Sequence, residues 1–211
     1  TPKATLIQYL PLNDSCALNI ANDDYLYCNT TWRNNEEPDN STSTKDVYIG
    51  NGTYVVAEDQ NIEVNNMQVS IGAKVIVEQG GSIKVNGNLT NAGTIALLSS
   101  STKYSNLIVE GTASGILTYK RHVNAFDSND LVSSPLKGNT FGNFATTNPN
   151  IYENPNDANQ KLFGPFNEVI GAYEIYSILD NIDTPINLGQ GYRAARDASE
   201  DGISGTNFIF A

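Results

Sequence analysis

The sequence predicts an all-β protein, a short β-solenoid of stacked short strands followed by a smaller antiparallel β domain. Three observations carry this. Ile71, Ile83, Ile95 and Leu107 fall twelve residues apart, with Ala73, Val85, Leu97 and Val109 two places after each. Gly81 and Gly93 keep the same interval. Runs such as Val75-Ile76-Val77 and Ile83-Lys84-Val85 are too short for helices, rich in β-branched residues, and separated by Gly and Asn. Short strands at a fixed period, none able to bury a face alone, mark a stacked β architecture.

In chain order, residues 1–45 read as an irregular segment, with candidate strands at 5–10 and 25–27 and a polar loop at 34–41. Residues 46–117 form the solenoid. It opens with Val47-Tyr48-Ile49 and Val55-Val56, then shows near alternation from Ile62 through Val64, Met67 and Val69 to Ile71. Twelve residues supply only two short strands and two turns, so the interval reads as half a coil. On that reading Ile71 lies beneath Ile95, and Ile83 beneath Leu107, about 4.8 Å apart along the stack. Residues 118–211 form the antiparallel domain. All seven Phe lie there, Val and Ile thin out, and the gaps between strands lengthen. Residues 171–179 have the length for a helix, but their alternation of Tyr and Ile suits a strand equally.

The chain carries 12 Lys+Arg against 23 Asp+Glu, a net charge of -11. That charge repels phosphate backbones, and no basic stretch offsets it, which argues against nucleic acid as a partner. No apolar run approaches the roughly 18 residues of a membrane helix, so this segment is not expected to insert. Asn occurs 28 times, and uncharged polar residues suit turns and exposed sheet faces. The composition is that of an extracellular β protein. Cys16 and Cys28 are the only cysteines, and a structural disulfide between them would stabilise the fold by about 3 kcal/mol. The absence of an initiator Met at Thr1 and the abrupt strand-like end at 207–211 point to a fragment or processed form of something larger.

The order of signals from Thr31-Trp32 through Asp46-Val47-Tyr48-Ile49, Ser70-Ile71-Gly72-Ala73, Val85-Asn86-Gly87-Asn88-Leu89-Thr90-Asn91-Ala92-Gly93, Thr118-Tyr119-Lys120-Arg121-His122, Leu131-Val132-Ser133-Ser134-Pro135 and Gly189-Gln190-Gly191-Tyr192 resembles a module of secreted surface proteins of the Bacteroidota. Many of those are cargo of the type IX secretion system. The resemblance covers about residues 31–211. It implies a cell-surface location, contact with the type IX secretion machinery, and membership of a long, adhesin-like polypeptide, sometimes linked to gliding motility.

Candidate chemistry is sparse. His122 is the only histidine, and Ser133-Ser134-Pro135 lacks the form of a nucleophile elbow. Asp23-Asp24, Glu36-Glu37, Asp127 and Asp130 are the carboxylates a polysaccharide-degrading β-helix enzyme would need, yet each lies in a polar loop. Asp197, Ser199 and Asp201 alternate before Gly202 as ligands of a calcium loop do, although Phe208 stands where a bidentate Glu would be twelfth. Trp32, Tyr104, Tyr119 and Tyr152 are the rings that would stack on surface glycans. The reading that follows is a non-enzymatic structural or adhesive module, with a glycan-binding module and a polysaccharide-degrading enzyme as rivals.

Overall fold

The computed structural model describes residues 16, 20–125, 129–198 and 206–211. It is a three-faced β-solenoid of about four turns over residues 25–119, followed by antiparallel sheets. The first coil contributes β1 (Tyr25–Cys28) and β2 (Thr31–Trp32). The second holds β3 (Val47–Ile49), β4 (Thr53–Val56) and β5 (Asn61–Val64). The third holds β6 (Met67–Val69), β7 (Lys74–Val77) and β8 (Ser82–Val85). The fourth holds β9 (Leu89–Asn91), β10 (Thr94–Leu97) and β11 (Asn106–Val109), and the stack ends with β12 (Ala113–Ser114) and β13 (Leu117–His122).

Three parallel ladders run up the stack. The first face is β1-β3-β6-β9-β12, the second β4-β7-β10-β13, the third β5-β8-β11. Alternate side chains point inward along β3 to β9, so Ile49, Val56, Val64, Val69, Val77 and Val85 are fully enclosed in one aliphatic column. A single coil could not close such a core, and stacking is what removes these residues from water.

The twelve-residue interval is therefore corrected in part. Ile83 does lie beneath Leu107. Ile71 does not lie beneath Ile95: Val75 takes that place, and Ile71 sits in a turn, 59% exposed. A coil has three strands, not the four that two such halves would supply, and its length varies from 20 residues (Val47 to Met67) to 24 (Leu89 to Ala113). The interval arises because the fourth coil makes a small excursion after Leu97. There Ser100 N–H donates to Lys103 O and Ser105 N–H to Leu98 O, which delays β11. Unequal arcs add up to an apparently regular interval. The stack also starts earlier than residue 46, since β1 pairs in register with β3.

Aromatic residues cover the first end of the core and, at the other end, its second face. At the start, β2 folds back antiparallel on β1 and sets Trp32 edge-on to Tyr27 and Tyr54, with ring centroids 5.1 and 4.8 Å apart. At the other end β13 pairs with β21 (Asn207–Phe210), which comes from the far end of the antiparallel part. Between them lie β14 (Asp130–Val132), α1 (Phe141–Thr147), β15 (Glu153–Asn154), β16 (Asp157–Lys161), β17 (Phe163–Asn167), β18 (Ala172–Tyr173), β19 (Tyr176–Ser177) and β20 (Tyr192–Ala194). Residues 171–179 are thus two short strands, and the helix lies elsewhere, capped by the Thr140 hydroxyl accepting from Asn143 N–H. Phe141, Phe144, Phe163, Tyr192, Phe208 and Phe210 form the second core. Tyr119 lies against both cores and joins them.

Gly81 and Gly93 occupy tight corners. A Cβ on Gly81 would sit 2.8 Å from Ala57 O, and one on Gly93 would fall on the carbonyl oxygens of Ala73 and Ser70. The coil below is backbone at both places and cannot yield. Gly93→Ala should therefore cost about 1–3 kcal/mol in denaturant melts, the usual penalty of overpacking. Gly191→Ala, with nothing within 4 Å of the added methyl, should be close to neutral in the same assay.

Candidate functional site

The most developed polar arrangement runs along the corner that precedes the first face. Asp24, Asp46, Asn66, Asn88 and Thr112 each stand immediately before a strand of that face. Asp46 N–H donates to Asp24 Oδ1 at 3.0 Å, Asn66 N–H to Asp46 Oδ1 at 3.1 Å, Asn88 N–H to Asn66 Oδ1 at 2.8 Å, and Thr112 N–H to Asn88 Oδ1 at 2.9 Å. The backbone runs the other way. Tyr25, Val47, Met67 and Leu89 donate their N–H groups up to the carbonyls of Asp46, Asn66, Asn88 and Thr112. From Asp46 onward each corner residue is therefore bound twice to the coil beneath, once through its carbonyl and once through its own N–H. A corner N–H has no strand partner, and a short side-chain acceptor is the local solution.

Asp46 holds the centre of this ladder, since its Oδ1 also accepts from the side chains of Asn65 (2.8 Å) and Asn66 (2.9 Å). Burial holds the Asp24 carboxyl above its ordinary range, and the negative charges of Asp46 and Asp23 add to this, against the pull of the Asp46 N–H. Asp23, paired with Lys45, is held below that range by the lysine's hydrogen bond. On the third face Lys84 reaches Glu63 (3.0 Å) and Glu110 (3.3 Å), and at the corner before it Lys103 reaches Glu58 and Asp59. Hydrogen bonds from Asn86 and then Lys84 lower the Glu63 carboxyl. These pairs are exposed and screened, so they orient the surface more than they stabilise it.

Of the candidate catalytic carboxylates, Asp23, Asp24 and Glu36 line one shallow cleft, while Glu37 and Asp130 are engaged elsewhere. Asp23 and Asp24 serve the first corner. Glu37 accepts from the Tyr54 hydroxyl at 3.0 Å and from Gln60 at 2.9 Å. Burial raises the Tyr54 hydroxyl far above its ordinary value, with Glu37's charge adding to it. Glu36 faces Asp23 and Asp24 across that cleft's lining, where Arg33 and Lys45 supply opposing charge. Asp130 accepts from Asn124 N–H at 2.6 Å and Asn124 Nδ2 at 3.0 Å, while Asp127 lies outside the described residues. His122 Nδ1 lies 3.1 Å from Thr206 Oγ1. A second shallow groove, lined by Lys137, Asn139, Thr140, Pro185 and Asn187, holds no carboxylate.

Of the four candidate sugar-stacking rings, Tyr104 and Tyr119 lie near each other, and Trp32 stands at the opposite end of the solenoid. Trp32 belongs to the first-coil cluster and Tyr119 to the junction of the cores. Tyr104 is 42% exposed with the Arg121 guanidinium 4.1 Å over its ring, and Tyr152 lies by β15. Of the calcium candidates only Asp197 is described: its N–H donates to Asn150 O at 2.8 Å. Ser199 and Asp201 lie outside the described residues, among which no group of three His, Cys, Asp or Glu side chains converges. Cys16 and Cys28 are bonded to each other, anchoring β1 to the segment before it. Among the described residues no helix is long and apolar enough to cross a membrane.

The corner ladder escapes a reading based on apolar period. A search for Asp or Asn directly before each β-run, at intervals of 20–24, would have found it. Fold and ladder together define a class, a short three-faced β-solenoid closed at one face by an antiparallel β domain. No known protein-family model, curated protein or solved structure matches the chain.

Removing the Asp46 acceptor strands the Asn66 N–H and two amides. Asp46→Ala should lower stability by about 1–3 kcal/mol, whereas Asp46→Asn, which keeps an oxygen in place as Asn66 and Asn88 do, should cost less than half of that in parallel urea melts.

Proposed function

We propose that this chain is a non-enzymatic structural and adhesive module of a large extracellular surface protein, in which the solenoid is a stiff spacer. The observation that supports this best is the reciprocal corner ladder, continuous through five levels from Asp24 to Thr112. Such a stack resists bending and peeling because every coil is fastened by its backbone on three faces and by side chains at a corner. The Cys16–Cys28 bond, suited to an oxidising compartment, fastens the first level. The net charge of -11 keeps the surface soluble and repels anionic polymers. Surface display through the type IX secretion machinery of a Bacteroidota cell, with the rest of a long polypeptide on either side, is the setting that the family resemblance suggests.

Pulling the chain from its two ends in a single-molecule experiment tests the spacer role. Coils should peel in increments of about 7 nm, the extended length of roughly 20–24 residues, and Asp46→Ala should lower the force of one such step. One low-force event releasing the whole solenoid would overturn the role. Protease treatment of intact producing cells should release the segment, and loss of the secretion machinery should abolish that release.

Calcium at Asp197, Ser199 and Asp201 belongs to the same proposal. Three side-chain oxygens leave the remaining ligands to carbonyls and water, so affinity should fall near 10⁻⁴–10⁻³ M, roughly that of extracellular modules. Millimolar calcium should then raise the melting temperature, and Asp201→Ala should erase the rise. An unshifted melt of the unmutated chain would remove calcium from the reading.

A further inference from the structure

We infer that the free edge of β11 is a docking site for an extended strand of a partner polypeptide, added in parallel as the missing next level of the third face. Three observations converge on it, and none depends on where the protein resides.

The first is a difference in burial at equivalent positions. Ile83 and Val85 of β8 are 1% and 0% exposed, but their register partners Leu107 and Val109 in β11 are only half-buried. Ile108 between them is 55% exposed. The interior column thus reaches the end of this face without its last cover.

The second is how the chain finishes its other edges. The second face is sealed by β21, paired with β13 over four residues. At the opposite edge of the third face, the outward groups of β5 are already satisfied: Glu63 N–H donates to Asp39 O at 3.0 Å, and Glu63 O accepts from the Thr42 hydroxyl at 2.9 Å. On β11, Asn106 and Glu110 N–H groups donate inward to Gly81 and Val85 of the third coil. The alternation of a parallel ladder turns the N–H and C=O of Leu107 and Val109 the other way, and no strand follows β11 among the described residues. An exposed edge of this kind is a template for strand addition.

The third is charge. In register the outward positions of this face are Glu63, Lys84 and Ile108, and Lys84 is held between two carboxylates, Glu63 and, diagonally past Ile108, Glu110. Glu110, 55% exposed, has its lysine only on the inner side. The level above it calls for a basic residue flanked by two β-branched apolar ones, the pattern that Ile83-Lys84-Val85 already presents to β11 from below. A second copy of this chain is the weaker occupant, because its matching edge, β5, is capped by Asp39 and Thr42.

A synthetic peptide copying residues 80–88 serves as the probe, titrated into the isotopically labelled full chain. Amide resonances of Leu107 and Val109 should shift saturably, while those of β4 and β5 stay in place. Replacing both apolar residues of the probe by Asp should abolish the shifts, and replacing its Lys by Glu should weaken them severalfold. Leu107→Pro removes an outward N–H without touching the ladder to β8, so it should weaken binding at least tenfold; Ile108→Lys, a milder change on the same edge, should also weaken it. No saturable shift up to about 1 mM peptide, a Kd too weak to matter for docking, would overturn the inference. So would shifts confined to the antiparallel part, or a concentration-dependent dimer that protects the same amides.

Discussion

The structure depends on one constraint, that a backbone turning a corner must still find a partner for every N–H it carries past the turn. On the flat faces the parallel ladder meets this requirement without help from side chains. At the corner before the first face it does not, and Asp24, Asp46, Asn66 and Asn88 supply the acceptor from one level below. The oxygen must be short, polar and at a fixed height, which selects Asp or Asn over Glu, Gln or any apolar residue. Because the same residues accept backbone bonds through their carbonyls, the corner sets the vertical spacing that all three faces share. The aliphatic column inside then needs only residues of suitable size. Val and Ile can be exchanged along it with modest effect, while the corner cannot be shifted by one residue without reversing every side chain behind it.

How the stack ends is as informative as how it repeats. A solenoid exposes its core at both ends unless something covers it. Here the chain uses aromatic rings for the purpose, Trp32 with Tyr25, Tyr27 and Tyr54 at the first level and Tyr119 with Phe210 at the last. Large rings cover much area for few residues, and their edge-to-face contacts fix orientation. The antiparallel part is therefore built around a covering task, with β21 delivering Phe208 and Phe210 under α1 while pairing with β13. Asn148, itself buried, holds β21 in place by donating to Ile209 O (2.9 Å) and accepting from Ile209 N–H (2.6 Å).

Much of the architecture is legible in the sequence because alternation and β-branching report directly on faces that bury every second side chain. The strands at Val47-Tyr48-Ile49, Ile83-Lys84-Val85 and Ile95-Ala96-Leu97 and the solenoid class follow from such signals, and the Cys16–Cys28 bond from the chain having just these two cysteines. What fails is the count of strands per coil. A period measured on apolar residues cannot separate four strands per coil from three when loops such as 98–105 change length. The corner residues are equally hidden, since Asn is abundant throughout and only its position relative to each strand distinguishes a ladder from an ordinary turn. The helix Phe141–Thr147 carries Gly142 and three Thr and Asn residues that disfavour helix, and it exists because Phe141 and Phe144 are enclosed by the second core.

The pairing of β13 with β21 also imposes a timetable. Coils can form one upon another as the chain is made, because each contacts only a level about twenty residues earlier. The second core has no such local route. Arg121 must wait for Phe208, and Tyr119 for Phe210, so closure spans a loop of nearly ninety residues. Until that loop closes, the end of the solenoid's second face and the underside of α1 are both bare. The two halves of this protein are thus fast and slow folders on one chain, and the period of greatest vulnerability to misassociation falls between them.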